Sequence, residues 1–445
     1  MSAEKEMLDF LGVEEKEELF QDIPEMIRTD LDIPASLSER EVMSELEGKL
    51  KKNNDLNELT SFLGGGIYHH YVPAAVEEVI GKSEFYSSYT PYQAEISQGL
   101  LQALFEYQSL IAELTGLGAV NTSMYDYPTA LAEAVLMSTR ISRKGNKFLI
   151  PENIHWEKDP VLKNYLRGKD IDIEKVQFEE ESGKVDKEDL KSKLSEEVIG
   201  FYVETPNVFG VMEDDVEIFK DLKEDNDCVL VAGTDPMLLS LMKPPAEWGA
   251  DIVVGESQPL GIPPSYGGPT VGIFASDEDY IRKMPGRIIG ETEDSNGKRA
   301  YCMTLQTREQ HIRRERATSN ICTNQSLMAL ASAAYTYIKG GRGLEDLAKE
   351  NYERAHELAE RIDEIKGFDA PYFDSEFYKE FTVGTPESSE KIFERCAEKD
   401  VLPGVPLDDK DKFSSLSSML LTAVTEMNTD EDMDKLVETL EEVVG

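Results

Sequence analysis

Side chains able to do chemistry are concentrated in four stretches, which are denser in polar and aromatic residues than a packing scaffold requires. These stretches are 86–98 (YSSYTPYQAEISQ), 121–126 (NTSMYD), 256–269 (ESQPLGIPPSYGGP) and 306–324 (QTREQHIRRERATSNICTN). Aromatic rings flanked by an amide, as in the first stretch, can stack on a cofactor and orient a small carboxylate. The composition of these stretches therefore indicates a binding or active site.

The last stretch is also rich in arginine, although the chain as a whole is acidic. Its four arginines lie within ten residues and are Arg308, Arg313, Arg314 and Arg316. Arginine presents a planar fork that suits carboxylate or phosphate and is weakly hydrated, so it is well placed at an interface. Two interpretations are open: a helix salt-bridged to an acidic surface, or a segment that faces an anion or a partner.

Common nucleotide, hydrolase and metal motifs are absent from the sequence. There is no GxGxxG that opens a helix after a strand, no GxxxxGK[ST] and no GxSxG. The histidines form no HExxH or other metal spacing, and we expect no metal site. The cysteines are far apart and form no CxxC, which argues against zinc and against a disulfide framework; they are Cys228, Cys302, Cys322 and Cys396.

The elements that must position these stretches are those of an α/β protein. Short apolar runs rich in Val and Ile, without strict alternation, predict strands buried on both faces, as in a parallel sheet. These runs lie at 147–150, 198–204, 228–233, 251–256 and 270–276. Polar, helix-like stretches between them supply the crossovers. A long amphipathic helix with Leu100, Leu104 and Ile111 on one face is predicted to end at Gly116.

The chain of 445 residues is long enough for more than one domain. Residues 1–60 are predicted to be helical, with Ser38 and Glu41 in the spacing of a capping box. Residues 61–338 are predicted to form the large α/β domain. The glycine-rich run after 338 marks a break, and 339–445 are predicted to form a small C-terminal α/β domain.

Charge and composition limit the classes of partner. The chain has 88 Asp and Glu against 46 Lys and Arg, a formal net charge of −42. Such a field repels phosphate backbones and anionic lipid, so we expect neither nucleic acid nor membrane as a partner. With no apolar signal core, we expect a soluble cytoplasmic protein. The acidity is typical of halophilic proteins; the alternative is an acidic face for a basic partner.

Several long segments resemble one family. They are YTPYQAEISQGLLQALFEYQSLIAELTG, SMYD, PLGIPPSYGGP and LQTREQHIRRERATSNICTNQSL, together with MLDFLGVEEKEELFQDIPEMIR and FLGGGIYHHYVP near the start. These segments closely resemble the first subunit of the glycine cleavage system P protein in its split form. The resemblance extends over essentially the whole chain.

The resemblance implies a fold type I pyridoxal-phosphate-dependent, transferase-like α/β fold. It further implies glycine decarboxylation, with release of CO2 and transfer of the aminomethyl group to the lipoyl arm of the H protein. In the split form two homologous subunits pair, and the heteromer is expected to be a heterotetramer. The cofactor suits the reaction because its ring is an electron sink for the carbanion left by decarboxylation.

The resemblance also implies that pyridoxal 5'-phosphate is bound covalently by the partner subunit rather than by this chain. The position of the family's Schiff-base lysine falls on or near Gln258, which cannot form an imine. Asp235 follows a strand where the fold places the carboxylate for the pyridine nitrogen, and we expect it to be vestigial. Tyr127 and Pro128 stand where a phosphate cradle needs close backbone approach.

Two sets of residues are therefore predicted to complete an active site shared with the partner. The catalytic set, with Pro91 fixing its loop, is Tyr89, Thr90, Tyr92 and Gln93. The cofactor-binding set is Arg308, Thr318, Ser319 and Asn320. The alternative for the tyrosines is core packing beside the following helix. His69 and His70 are equally well explained as site residues or as structural histidines.

Two other functions are compatible with parts of the pattern. The chain could be a non-catalytic partner that only stabilises the pyridoxal-phosphate-binding subunit. It could also be a free-standing aminotransferase-like enzyme, which would require its own internal aldimine. The Gln258 position argues against the second alternative.

The charge excess predicts that salt stabilises the folded chain. At about 0.01 M salt the Debye length is about 30 Å, so unscreened carboxylates repel one another across the folded chain. We expect the melting temperature, measured by calorimetry or circular dichroism, to rise from low to molar salt. A flat or falling curve would rule out the halophilic interpretation.

Overall fold

The computed structural model describes residues 3–29, 32–142, 144–321, 324–407, 416 and 418–444. The chain divides into two compact units, Met1–Asp55 and Leu56–Gly445. The division after Asp55 lies close to the predicted limit at residue 60, and the three predicted domains stay predictions.

Unit 1 contains two α-helices, α1 (Ala3–Leu11) and α2 (Glu39–Leu50). The predicted capping box is confirmed, because the Ser38 backbone N–H donates to Glu41 Oε2 over 2.8 Å. Neither helix has a buried residue. The apolar side chains of unit 1, Phe10 and Met26 among them, are therefore exposed, and such a segment gains little stability from a core of its own.

Unit 2 contains the remaining helices and all the strands of the described residues. Its helices are α3 (Ala74–Ile80), α4 (Ser83–Tyr86), α5 (Gln98–Thr115), α6 (Tyr127–Ile141), α7 (Lys158–Leu166), α8 (Lys187–Lys193), α9 (Glu217–Asn226), α10 (Gln310–Arg313), α11 (Ser326–Asp363), α12 (Ser389–Ala397) and α13 (Asp430–Val444). Its strands are β1 (Thr60–Ser61), β2 (Ala119–Val120), β3 (Lys147–Pro151), β4 (Asp172–Val176), β5 (Val198–Thr205), β6 (Val229–Thr234), β7 (Ile252–Glu256), β8 (Gly272–Ser276), β9 (Ile288–Glu293), β10 (Arg299–Thr304), β11 (Glu380–Gly384), β12 (Val401–Leu402), β13 (Val405–Pro406) and β14 (Met419–Ala423).

The main sheet of the described residues has seven strands in the order β2-β8-β7-β6-β5-β3-β4. The five predicted strands are confirmed as β3, β5, β6, β7 and β8. The pairs from β4 to β7 are parallel, which confirms the expected mostly parallel α/β sheet. The strand β8 runs antiparallel to β7 and to β2. One edge of the sheet therefore contains antiparallel pairs.

Helices cover both faces of this sheet, as the unbroken apolar runs predicted. Along β5, Phe201 packs in one core cluster with α5, α9 and α11, and Tyr202 packs in the opposite cluster with α6 and α7. All residues of β5 are buried. The helix α5 ends as predicted at Gly116, whose φ of 74° is a left-handed conformation that glycine adopts at little cost.

A smaller antiparallel sheet, ordered β11-β14-β13, lies in the C-terminal part of the chain. The segments FYKEFTVG, KIFERCAEK and DMDKLVETLEEVV contain β11, α12 and α13, so strands and helices alternate in this part of the chain. The predicted break after residue 338 falls inside α11, just before Gly340, whose φ of 65° and ψ of 172° are not helical. The helix α11 is therefore kinked at this glycine, and its second half leads into the C-terminal elements.

In the described part of the chain, no helix is both long and apolar enough to cross a membrane.

Candidate active site

A cavity of about 260 Å³ lies at the carboxyl ends of the parallel strands of unit 2. Its walls include Glu204, Asp235 and Glu256, which stand at or just after the ends of β5, β6 and β7. The N-terminus of α6 and the segment before β11 complete it. In open α/β sheets ligands bind at this edge, because the loops that leave the strand ends can be shaped without disturbing the sheet.

The N-terminus of α6 is occupied by two carboxylates of the chain itself. Asp126 caps the helix by accepting from the Thr129 backbone N–H over 2.8 Å. Glu256 Oε2 accepts from the Tyr127 backbone N–H over 3.2 Å, and its Oε1 accepts from the Val271 N–H over 2.8 Å. Burial raises the pKa of Glu256 to about 7. Donors that could hold a phosphate at a helix N-terminus are thus already used.

The carboxamide of Gln258 is fully buried and hydrogen-bonded on both sides. Its Nε2 donates to the Tyr68 carbonyl over 2.8 Å and to the Ile262 carbonyl over 2.7 Å. Its Oε1 accepts from the Tyr68 backbone N–H over 3.0 Å. These bonds tie the loop after β7 to the loop before α3, which is a structural role for the side chain.

Asp235 forms an ion pair with Lys379, whose Nζ lies 2.7 Å from its Oδ2. The same Nζ lies 3.0 Å from His70 Nε2, and His70 Nδ1 lies 2.8 Å from Glu426 Oε2. Burial and the Lys379 charge lower the pKa of His70, which keeps the ring neutral. A neutral His70 therefore accepts from Lys379 and donates to Glu426, and these contacts suit a structural histidine.

A second buried ion pair joins Lys158 of α7 to Glu204. The Lys158 ammonium lies 3.7 Å from the ring centroid of Tyr127, and the hydroxyls of Tyr127 and Tyr202 are 2.6 Å apart. Burial lowers the pKa of Lys158, although Glu204 acts in the opposite direction. Both lysines that line the cavity are thus held by carboxylates.

Glu380 is the remaining acid on the β11 side of the cavity. It accepts from the Gly65 backbone N–H over 2.6 Å and from the Tyr68 hydroxyl over 3.0 Å. Burial raises the pKa of Glu380 to about 7. The side chain is therefore divided between its protonated and ionised forms near neutral pH.

None of the eight site residues predicted from the sequence lines this cavity. The structure instead brings part of the catalytic set together at the surface, around Arg287. Arg287 Nη1 donates to Thr90 Oγ1 over 3.2 Å, and its Nη2 donates to Tyr92 Oη over 3.1 Å. Tyr89 is 74% exposed and Tyr92 50% exposed, whereas Arg287 is only 5% exposed. Gln93 is exposed in the same loop.

Arg287 also connects this loop to the arginine-rich stretch. Its Nε lies 3.7 Å from Glu309 Oε2, and the rings of Tyr92 and His311 are 6.0 Å apart in an edge contact. Arg287 could not be identified from the sequence, because a single arginine in a strand-like segment (MPGRIIG) carries no local signal. The alternative of core packing does not describe Tyr89, which is largely exposed.

The residues of the predicted cofactor-binding set contact different parts of the chain and do not converge on one another. Arg308 is buried and donates to the carbonyls of Leu305, Met284 and Gly286, so its guanidinium is used within the chain. Ser319 Oγ donates to Glu133 Oε1 over 2.6 Å. Thr318 is partly buried and Asn320 is exposed. The cofactor-binding role of these residues stays a prediction.

The described residues contain no group of three or more His, Cys, Asp or Glu side chains that could hold a metal ion. Cys228 and Cys396 are buried free thiols, and Cys322 lies outside the described residues.

Comparison with known proteins places these features in one family. A family described as "Glycine cleavage system P-protein" matches residues 1–440. Proteins named probable glycine dehydrogenase (decarboxylating) subunit 1 are 46% identical over 440 residues in Listeria monocytogenes (98% of this chain, 96% of that one) and 47% identical over 440 residues in Thermococcus onnurineus (98% and 97%).

Solved structures agree with this placement. A crystal structure of glycine decarboxylase (P-protein) of the glycine cleavage system, in inhibitor-bound form, has a TM-score of 0.92 and 37% identity, over 100% of this chain and 99% of that one. Lactobacillus brevis glutamate decarboxylase has a TM-score of 0.71 at 14% identity, over 97% and 96% of the two chains. The second likeness shows a shared fold alone, and together the two confirm the expected fold class.

The raised pKa of Glu380 predicts how stability depends on pH. Its folded value, about 7, lies above the ordinary value of 4.5, so the folded state keeps a proton that the unfolded chain releases between these values. Its contribution to stability therefore falls as pH rises from about 4.5 to 7. In Glu380→Gln the amide oxygen still accepts from the Gly65 N–H, the amide N–H can donate to the Tyr68 hydroxyl oxygen, and no titratable proton remains.

We expect Glu380→Gln to match the wild type in free energy of unfolding at pH 5 and to exceed it at pH 8. The gain should be roughly 1–3 kcal/mol, at 1.36 kcal/mol per pKa unit. Urea titrations at both pH values in fixed molar salt measure it. The exposed Glu196→Gln is the matched control and should show no such change. A gain equal at both pH values would contradict the raised pKa.

Proposed function

Because the chain belongs to the glycine cleavage system P-protein family, we propose that it acts as subunit 1 of a glycine dehydrogenase (decarboxylating). With a second, lysine-bearing subunit it decarboxylates glycine and transfers the aminomethyl group to the lipoyl arm of the H protein. The observation that carries this proposal is the match of the family and of its subunit 1 relatives over nearly the whole chain.

In this proposal pyridoxal phosphate belongs to the second subunit, because the residues of this chain do not fit the group. Gln258 has no amine for an imine, and its carboxamide is fully engaged with backbone groups. Asp235, the carboxylate for a pyridine nitrogen, is neutralised by Lys379. Asp126 and Glu256 fill the α6 N-terminus where a phosphate would bind. Three separate requirements of the cofactor are thus unmet.

The contribution of this chain is then the surface cluster of Tyr89, Thr90, Tyr92 and Gln93, held by Arg287. When bound in the partner, the cofactor supplies the electron sink for decarboxylation. The role of this cluster is to orient the small carboxylate of glycine at the subunit boundary. Arg287 is suited to support it because a buried guanidinium with two fixed donors holds the Thr90 and Tyr92 hydroxyls in place before substrate arrives.

The second predicted set has a different part in the proposal. Arg308 braces the 305–308 turn against the loop of Met284 and Gly286. That bracing presents the following segment, where Thr318 and Asn320 offer short donors to an anion of the partner's cofactor, whereas the Ser319 hydroxyl already donates to Glu133. Arg313, Arg314 and Arg316 are exposed nearby and add positive charge.

Exposed apolar side chains support the heteromer, for which a heterotetramer is the expected form. In unit 2, Tyr86, Tyr89 and Ile96 are all more than 70% exposed within one short segment. In unit 1, α1 and α2 have no buried residue. Exposed apolar surface of this kind marks protein–protein contact, and the printed name of the relatives, subunit 1, indicates a second subunit.

The alternative is a chain that only stabilises the cofactor-binding subunit. The contacts inside the cavity support this alternative, because Asp235 is paired with Lys379 and Gln258 is hydrogen-bonded to backbone groups. The two functions differ at Tyr92: only an active-site contribution requires its hydroxyl.

We expect Tyr92→Phe to lower glycine–bicarbonate exchange by the complex about tenfold or more, the value of a hydrogen bond to a charged group. The assay combines this chain, the second subunit, H protein and pyridoxal phosphate at fixed salt. Tyr86→Phe is the matched control, since Tyr86 is an exposed tyrosine of the preceding helix, and should retain wild-type exchange. Unchanged exchange in Tyr92→Phe, with normal subunit association, would favour the purely stabilising role.

A further inference from the structure

The arginine-rich stretch after β10 forms a closed loop with a buried base. Arg308 and Glu309 are only 9% and 8% exposed, and the Arg308 carbonyl accepts from the Thr318 backbone N–H over 3.0 Å. The Arg308 guanidinium donates to carbonyls of neighbouring segments. We call residues 308–318 the basic loop; its two ends are therefore fixed to each other and to the rest of unit 2.

The tip of the basic loop, residues 310–316, is exposed and positively charged. It contains Arg313, Arg314 and Arg316 against one acid, Glu315. Among the described residues Arg313 and Arg314 form no ion pair, and Arg316 pairs only with its neighbour Glu315, at 3.8 Å, with the two side chains 81% and 79% exposed. Salt bridges to the acidic surface, one of the two interpretations of this stretch, therefore do not account for these arginines.

The backbone of the tip is held in an unusual conformation. The helix α10 ends after one turn at Arg313, and Arg314 has φ 54° and ψ −122°. A residue with a side chain rarely adopts a positive φ, and such strain persists only where the surrounding structure holds it. The Ala317 N–H donates to the Arg314 carbonyl over 3.2 Å, and Arg313 Nε donates to the Thr307 carbonyl over 3.0 Å. The tip is thus ordered before a partner arrives, which lowers the entropy cost of binding.

The basic loop lies beside the tyrosine loop of the proposed shared site. The rings of His311 and Tyr92 are in edge contact, with centroids 6.0 Å apart, and Glu309 Oε2 lies 3.7 Å from Arg287 Nε. Ile312, also in the tip, is 49% exposed and offers an apolar contact. A protein that docks on the tip therefore comes close to Tyr92.

The charges of the tip and of the whole chain select the kind of partner. Guanidinium groups bind carboxylates through two parallel N–H···O bonds. A long polyanion is repelled by a chain of net charge −42, whereas a protein with a local acidic patch contacts the tip alone. Contacts between exposed charges speed association and are individually weak. They suit a carrier that binds and leaves in every turnover better than a permanent subunit, whose interface is mainly apolar.

We propose that the tip of the basic loop docks an acidic patch of the lipoyl-bearing H protein. Arg313, Arg314 and Arg316 pair with carboxylates of this carrier, and Ile312 packs against its surface. The docked carrier holds its lipoyl arm near Tyr92. This inference rests on the proposed function and adds to it the surface by which the carrier is recognised.

The test measures the affinity of the assembled two-subunit complex for lipoylated H protein by titration calorimetry. At about 0.1 M salt we expect Arg314→Gln/Arg316→Gln to bind about fivefold or more weakly than the wild type, because two exposed charge pairs are lost. Arg314→Lys/Arg316→Lys keeps both charges and should retain most of the affinity. Wild-type affinity should fall from about 0.1 M to about 1 M salt, as the Debye length shrinks from about 10 Å to about 3 Å.

Arg342→Gln/Lys349→Gln is the matched control, because it removes the same charge from the exposed face of α11. It should bind H protein within about twofold of the wild type, since each lost pair is an exposed one outside the docking surface. Wild-type affinity in Arg314→Gln/Arg316→Gln, or an equal loss in the control, would contradict the docking surface.

Glycine–bicarbonate exchange on the same samples separates this inference from the proposed function. Absence of exchange in the wild-type complex would contradict the proposed function, whereas exchange together with unchanged H protein affinity in Arg314→Gln/Arg316→Gln would contradict only the docking surface. Both side chains are exposed, and a melting curve checks that the variant folds. Should it not fold, Arg316→Gln alone leaves the strained residue in place and should show a smaller loss of affinity; wild-type affinity there would overturn the proposal.

Discussion

The pairing of Asp235 with Lys379 is the interaction on which the arrangement of this cavity depends. A carboxylate at the end of a buried strand must have a partner, since an isolated buried charge costs several kcal/mol. Here the partner comes from the C-terminal part of the chain, and His70 and Glu426 hold the lysine from the other side. This chain of contacts joins the end of β6 to the segment before β11 and to the loop before α3.

Lys379 neutralises Asp235 within the chain, and the polar side chains at neighbouring positions are likewise paired with groups of the same chain. The carboxamide of Gln258 is hydrogen-bonded to the backbone of Tyr68 and to the Ile262 carbonyl. Asp126 and Glu256 fill the α6 N-terminus, where the helix dipole favours negative charge. The cavity therefore has the position of a cofactor site in this fold, but its lining is rich in carboxyl groups rather than in donors for a phosphate. Under the proposed function, the exposed tyrosine loop and its buried Arg287 are the part of the chain that serves the partner's site.

Much of this fold could be predicted from local pattern. The buried strands were evident from their Val and Ile runs, α5 from its apolar spacing and Gly116, and the α2 cap from Ser38 and Glu41. The antiparallel direction of β8 could not be seen, because a short buried strand has the same composition in either direction. The position of Gln258 came from family resemblance rather than from spacing.

The side chains that decide the electrostatics of the site were beyond sequence reasoning. His70 and Lys379 are 309 residues apart, and Arg287 is 195 residues from Tyr92. Such partners meet only through the tertiary fold, and a lone lysine or arginine carries no periodic signal. The alternatives for His70 were open in the sequence for the same reason.

The central claim is that catalysis is divided, with the cofactor on the second subunit and substrate-orienting residues on this chain. Borohydride reduction of the complex loaded with pyridoxal phosphate, followed by mass analysis of each subunit, tests it most directly, because reduction fixes the cofactor to the lysine that holds it. The account predicts a phosphopyridoxyl adduct on a lysine of the second subunit and none on this chain. An adduct on Lys158, Lys379 or another lysine of this chain would contradict it.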